Sequence, residues 1–419
     1  MRLFFLFSNS ISFYVLIYII YKSEISWQGT NRDHYLLYFF VSIIFIILFT
    51  ALLYLNKKIQ QYAIIIFCSI IFALYFFEFF LLKYSQPKNF NINYDIRTKL
   101  QIYEDIKKKD KSVVMSVSPT HQFNMSLYND FFFLSGVSKA KTIFCNENGY
   151  YSIYQSDRYG FNNPDREWDS KEVEYLLVGD SMTQGACVNR PDDIASQLRL
   201  LSKKSVLNLG MMGNGPLIEY AVLREYISPK VKKVLWLYYE GNDLYDLKRV
   251  ETRSKLLNEY VQNLNFSQNL KFKQNQVNNL ALSLIETEKK KKKPRIIDNV
   301  INFIKLNRSR TSLLPYQPAP PPELKVIIKL ANDLVKYNNG KLYFVYLPTM
   351  LRYNFFLFKD QKQRIKQIVS DLNIEFIDID SEVFKKEKNP LKLFPFETFP
   401  HYTVDGHKKT ALKIYEKIN

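Results

Sequence analysis

Three long apolar stretches lie within the first 84 residues of this 419-residue chain: Leu3–Tyr21, Tyr35–Leu55 and Tyr62–Leu82. Each has about 20 residues, the length that crosses roughly 30 Å of hydrocarbon as a helix. The second and third carry almost no charge. The first is interrupted by Ser8, Asn9, Ser10 and Ser12 and has the position of a signal peptide. It lacks a small-x-small cleavage pattern and two further spans follow, so it reads as an anchor. Any fold must then place three spanning helices ahead of a soluble part that begins near residue 85. Short-loop cations set the orientation. Arg2 with Lys57 and Lys58 outweigh Lys22 and Arg32, which are offset by Glu24 and Asp33. That puts the N-terminus inside and residues 84–419 outside the cytoplasm. Glu78, four residues from the end of the third stretch, either reaches the interface or marks a functional position.

The net charge of +18 comes largely from the soluble part, including the run Lys289–Arg295. No zinc-finger spacing or RNA-binding signature accompanies it, so nucleic acid is not the expected partner. A basic domain tethered to a bilayer faces anionic lipid or acidic glycan instead, with the lysine run itself a solvated loop. Of three cysteines, Cys68 sits in the third stretch as a packing residue. Cys145 and Cys187 belong to the exported part, where a disulfide can persist. Whether they pair is open, because pairing depends on a Cα separation that sequence does not give. Metal binding by the two is not expected, and no cofactor is called for.

Beyond residue 170 apolar runs alternate with helical patterns. Strands are expected at Glu174–Val178, Ser205–Leu209, Lys233–Tyr239, Lys341–Leu347 and Ile374–Ile379. Helices are expected at Ile194–Ser202, Pro216–Ile227, Pro322–Tyr337, Lys359–Leu372 and Gly406–Ile418. Such alternation predicts an α/β fold, a doubly wound parallel sheet covered on both faces. Ligands in such sheets sit beyond the carboxyl ends of the strands. Residues 1–84 form the membrane region, 85–170 a lead-in subdomain and 171–419 the sheet domain. Residues 247–321 interrupt the sheet domain as a helical, partly flexible insertion that ends in the proline-rich "PYQPAPPPE".

The first strand runs into "GDSMTQG". A serine there is either a nucleophile at a strand end or a cap of an ordinary strand-to-helix turn. The next two strands end in "NLGMMGNGP" and "YYEGNDL", and "FPHYTVDGHKKTA" precedes the last helix. That last segment holds two of the four histidines. Taken in order, the four blocks resemble those of the SGNH (GDSL-like) hydrolase family, over residues 156–250 and 322–419. "SDRYGFNNPD", ahead of the first strand, also looks like the lead-in of membrane-linked relatives. The resemblance implies a flavodoxin-like SGNH fold in which Ser181 is the nucleophile and His401 its base. It implies an oxyanion hole made by the Ser181 backbone N–H, Gly213 and Asn242. The residue types suit the chemistry: serine needs a base near neutrality, and the oxyanion needs preorganised donors.

Two positions depart from the family. Its aspartate three residues before the catalytic histidine is Thr398 here, so either Glu397 or a backbone carbonyl orients His401. Glu240 replaces the first glycine of the asparagine block. That puts a carboxylate at the substrate edge, where it either touches substrate or binds a neighbouring amide. His407, in "DGHKKTA", is assigned to the structure of the last helix. The expected activity is that of a membrane-anchored esterase or O-acyl(acetyl)transferase on an acyl ester or acetylated envelope glycan. The alternative is a non-catalytic envelope protein of the same fold that binds glycan.

Overall fold

The computed structural model describes every residue except 28, 30, 31, 85–93, 125–129, 291–295, 314–317 and 355–359. The start of the lead-in, most of the lysine run and the "PYQ" of the proline-rich stretch therefore lie outside the described residues. Contacts divide the chain into two compact units, Met1–Lys88 with Lys292–Ala319, and Asn89–Lys291 with Pro320–Asn419.

The first unit begins with α1 (Arg2–Ile20), α2 (Arg32–Leu52) and α3 (Lys57–Tyr84). All three are long and apolar enough to cross a membrane. Their mutual contacts are aromatic, with Phe49 meeting Phe67 edge-on at 5.2 Å and Phe5 at 6.4 Å. Donors of the polar break in the first span are paired internally. The Asn9 amide donates to Thr50 Oγ1 at 2.9 Å, and the Ser12 hydroxyl donates one turn back to the Ser8 carbonyl. A hydroxyl bonded in this way can face hydrocarbon without an orphaned donor.

The second unit opens with α4 (Lys99–Lys107) and a small sheet of β1 (Val113–Met115), β2 (Lys141–Ile143) and β3 (Ile153–Gln155). β1 and β2 are parallel and β2 and β3 antiparallel. The main sheet follows: β4 (Val173–Gly179), the short helix α5 (Ser181–Gln184), α6 (Ile194–Ser202), β5 (Val206–Asn208), α7 (Pro216–Tyr226) and β6 (Val231–Tyr239). After these come α8 (Asp243–Arg249), α9 (Lys255–Gln262) and α10 (Gln274–Lys290). The chain then gives α11 (Ile296–Ile304) and α12 (Asn307–Leu313) to the first unit. It returns with α13 (Pro322–Tyr337), β7 (Lys341–Leu347), α14 (Leu351–Asn354), α15 (Lys362–Asp371), β8 (Glu375–Asp378), α16 (Ile379–Glu382) and α17 (Val404–Ile418). The five long-sheet strands run in the order β5-β4-β6-β7-β8, and every neighbouring pair is parallel. The fold is thus the doubly wound α/β arrangement expected, behind three apolar N-terminal helices.

Alternation along β6 shows why both faces are covered. Val234, Trp236 and Tyr238 enter the core beneath α7 and α13, whereas Leu235, Leu237 and Tyr239 enter the one beneath α6 and α17. The lead-in shares the first of these cores through Phe132, Phe133, Leu134 and Phe161, all fully buried. The region expected as an insertion is helical and divides between the units. Up to α10 it packs into the same core through Leu257, Tyr260, Val277 and Leu284.

Candidate active site

The turn after β4 is built so that only glycine and a small cap fit. Gly179 has φ +157°, and a Cβ there would fall 2.1 Å from Thr183 Oγ1 and 2.7 Å from the Leu237 carbonyl. Asp180 caps α5, its carboxylate accepting from the Met182 N–H at 2.8 Å. Ser181 is then the first helical residue, and the N–H groups of a helix's first turn have no intrahelical acceptor. Across the sheet end, His401 lies between two tethers. The Tyr239 hydroxyl donates to the Pro400 carbonyl at 3.0 Å, and the Tyr402 hydroxyl to the Pro348 carbonyl at 2.8 Å.

These tethers set His401 Nε2 2.9 Å from Ser181 Oγ. The other ring nitrogen, Nδ1, meets Glu147 Oε1 at 2.8 Å, and Glu147 Oε2 accepts the His401 backbone N–H at 3.1 Å. One carboxylate thus fixes both the ring and its backbone. Burial works against a charge on His401, but the Glu147 bond and the Glu147 and Asp180 charges outweigh it, so its pKa is raised above the ordinary value. Asp180, fully buried, is pushed up to about 6 by desolvation.

Glu397 does not orient His401. Phe396 and Glu397 both have positive φ, +53° and +56°, which turns the chain outward at this point. The Glu397 carboxylate is exposed and accepts from the Asn389 amide at 3.2 Å, while the Thr398 hydroxyl donates to the Phe396 carbonyl. The orienting acid comes instead from the turn between β2 and β3, which sequence reading passed over. That turn is fastened next to the serine's own helix. Cys145 is disulfide-bonded to Cys187 with a Cα separation of 4.9 Å, within the usual span for a disulfide. The Asn148 amide donates to the Cys187 carbonyl at 3.0 Å. The signal was present in "FCNENG": an acid two residues from one cysteine, with the second cysteine six residues past Ser181.

Gly213 and Asn242 follow β5 and β6, the strands on either side of β4. Gly213 has φ +75°, and a Cβ would lie 2.4 Å from Ser118 Oγ, so a lead-in residue closes over the glycine. The Asn242 amide donates to Asp246 Oδ2 at 2.7 Å and neighbours Asp180. Glu240 does not line a substrate edge. It is 3 % exposed and accepts from the Thr349 N–H, the Tyr346 hydroxyl and Arg352, with which it is ion-paired. Its burial, which raises its pKa, is answered by these donors, and it ties the end of β6 to the segment after β7. His407 lies in the first turn of α17, fully buried and edge-on to Tyr402. Burial pushes its pKa down to about 4, so it stands neutral as a packing residue.

Glu147, Cys187 and His401 bring one potential metal-ligand atom each within 4.8 Å of one another. The set does not suit a metal: the sulfur is in a disulfide rather than a thiolate, and the other two atoms bond each other. The arrangement suits proton transfer from a hydroxyl.

No protein-family model and no curated protein matches the sequence. Solved structures do match, at low identity. A member of the lipolytic protein G-D-S-L family from Veillonella parvula is 11% identical, with a TM-score of 0.31, the match covering 59% of this chain and 98% of that one. An acetyl xylan esterase is 10% identical, with a TM-score of 0.31, covering 59% and 100%. An extracellular lipase from Streptomyces rimosus is 12% identical, with a TM-score of 0.33, covering 59% and 100%.

Proposed function

We propose that the chain is a membrane-anchored serine esterase or O-acyl(acetyl)transferase working on an acyl ester or acetylated glycan of the envelope. The line Glu147–His401–Ser181, with contacts of 2.8 and 2.9 Å, carries this reading. His401 Nε2 takes the Ser181 proton as Oγ attacks the carbonyl carbon. The oxyanion forms near the Ser181 N–H, Gly213 and Asn242. Collapse breaks the ester C–O bond, and the leaving alcohol takes the proton back from Nε2. Water or a sugar hydroxyl then attacks the acyl-serine with the same base. The two acceptors separate hydrolase from transferase, and both use this geometry.

An extracytoplasmic site is supported by the Cys145–Cys187 disulfide, since such bonds persist in oxidising compartments. The loop cations Lys57 and Lys58 point the same way. Thr398 stands where the resemblance calls for an acid, and the Glu147 contact with His401 supports the catalytic reading over the glycan-binding one. The test is labelling of the full-length protein with a fluorophosphonate probe, together with envelope-glycan acetylation in strains carrying wild type or Ser181→Ala. Labelling that is lost in Ser181→Ala, with altered acetylation, is expected. A wild-type protein that never labels at Ser181 would favour the glycan-binding alternative.

A further inference from the structure

Between α10 and α13 the chain leaves the sheet-bearing unit and joins the apolar helices with α11 and α12. One face of α3 holds both sides of the turn between these two short helices. The Tyr75 hydroxyl donates to the Ile304 carbonyl at the end of α11 at 3.0 Å, and the Tyr75 ring packs on Phe303 at 5.5 Å. Glu78, one turn further along α3, accepts from the Arg308 and Ser309 N–H groups at 3.1 and 2.7 Å and from the Ser309 hydroxyl at 2.7 Å. A span carboxylate thus caps the first turn of α12, whose N–H groups would otherwise be unpaired. Glu78 is fully buried by this contact, which gives a reason for an acid in an apolar helix. Arg310 lies over the Tyr38 ring of α2 at 5.9 Å.

The other side of α11 is uncovered. Ile297, Val300, Ile301 and Ile304 recur at helical spacing and are 58, 48, 40 and 59 % exposed. At nine residues α11 is about 14 Å long, too short to cross roughly 30 Å of hydrocarbon. From Lys289 to Arg310 the sequence holds nine Lys or Arg and one acid, Asp298. A short helix with one strongly apolar face and a basic surround has the composition of a helix lying in a bilayer interface.

We propose that α11 lies in the interface of the bilayer that holds α1–α3, its isoleucine–valine face among the acyl chains, with the positive charge of the surrounding sequence favouring anionic lipid. The occupant of the exposed face is then lipid, as it is for the outward faces of the helices in the same unit. The chain thereby touches the membrane through a segment inserted in its sheet domain as well as through its N-terminus.

Full-length protein with Cys68→Ser, its disulfide oxidised, tests this after reconstitution into vesicles. Single cysteines replace Ile297, Ile301 or Ile304 on the apolar face, and Asp298 or Asn302 on the opposite one. Each carries a fluorophore, exposed in turn to acyl-brominated lipid and to aqueous iodide. Bromolipid is expected to quench the three isoleucine positions severalfold more than the two controls, and more strongly in anionic than in neutral vesicles. Lys290→Gln with Lys292→Gln and Lys293→Gln should remove that anionic increment. Isoleucine positions quenched by iodide, or quenched equally with the controls, would overturn the proposal. Positions shielded from both quenchers would overturn it in favour of a protein partner. An increment that survives the lysine substitutions would overturn the role given to that charge.

Discussion

Two turns meet at the candidate active site, and they are held there by different means. The β4–α5 turn carries Ser181 and is fixed locally. Gly179 has no room for a side chain, and Asp180 caps the helix that follows. The β2–β3 turn carries Glu147 and is fixed from outside, by the Cys145–Cys187 bond and the Asn148 contact. The first is a property of eleven consecutive residues, "YLLVGDSMTQG". The second depends on residues 42 positions apart. The proposed nucleophile is thus built on a rigid strand end, whereas the carboxylate that meets its histidine is delivered by a cross-linked loop.

The largest break in this comparison is at the local turn. Ser181→Ala should lower turnover of a small ester such as p-nitrophenyl acetate by roughly 10³-fold or more, with an unchanged thermal unfolding midpoint. A near-wild-type rate would mean that the nucleophile lies elsewhere. His401→Ala should fall as far, while His407→Gln should keep kcat within a few-fold and show its effect in the unfolding midpoint, because it removes a buried packing ring.

Next comes the delivered acid. Glu147→Gln should cost roughly 10²–10⁴-fold in kcat with little change in KM, since the imidazolium loses its anionic partner and not its substrate. Glu397→Gln should run like wild type. The reverse ranking would restore the acid that sequence alone suggested.

The pH profile sharpens the same contrast. His401 must be neutral to accept the serine proton, and its pKa is raised, burial being outweighed by Glu147 and Asp180. Activity should therefore rise with pH through a value above the usual histidine range of about 6.5. In Glu147→Gln the residual activity should rise at lower pH, because the group that holds the proton on the ring is neutral. An acid limb that stays in place would detach Glu147 from the histidine. The linked stability runs the opposite way. A raised histidine pKa stabilises the fold below about pH 6.5 and that contribution is lost as pH climbs through the folded value.

A smaller catalytic effect than at Glu147 is expected at the cross-link. Cys145→Ser with Cys187→Ser should reduce kcat by about tenfold and leave KM unchanged, because Asn148 and the Glu147 bonds still seat the turn. Closing a loop of this length contributes roughly 2–4 kcal/mol, so the unfolding midpoint should drop as well. A variant with wild-type kcat and a lowered midpoint would reduce the disulfide to a staple without influence on the site.

Much of the sheet domain was legible because its signals are local. Lys341–Leu347, Ile194–Ser202 and Pro322–Tyr337 appear with the bounds that apolar periodicity and Pro or Gly punctuation suggest. Ser181 was legible because it follows a strand of a doubly wound sheet, where ligands sit, and His401 because the four blocks in order resemble those of the SGNH family. Glu240 misled: by chain position it borders the site, but Arg352 takes its charge into the interior. Glu397 misled in a similar way, being close to His401 along the chain and turned outward by two positive-φ residues.

The sequence by itself determined the apolar helices, the strand–helix alternation and the glycine-locked serine turn. Each is set by side-chain period, steric exclusion or capping within a few residues. Only the tertiary structure decided which carboxylate meets His401, whether Cys145 finds Cys187, and that Glu78 is answered by α12. Those are choices among partners tens to hundreds of residues apart. They are settled by which chain segments the shared core brings together, and a linear pattern carries no record of that distance.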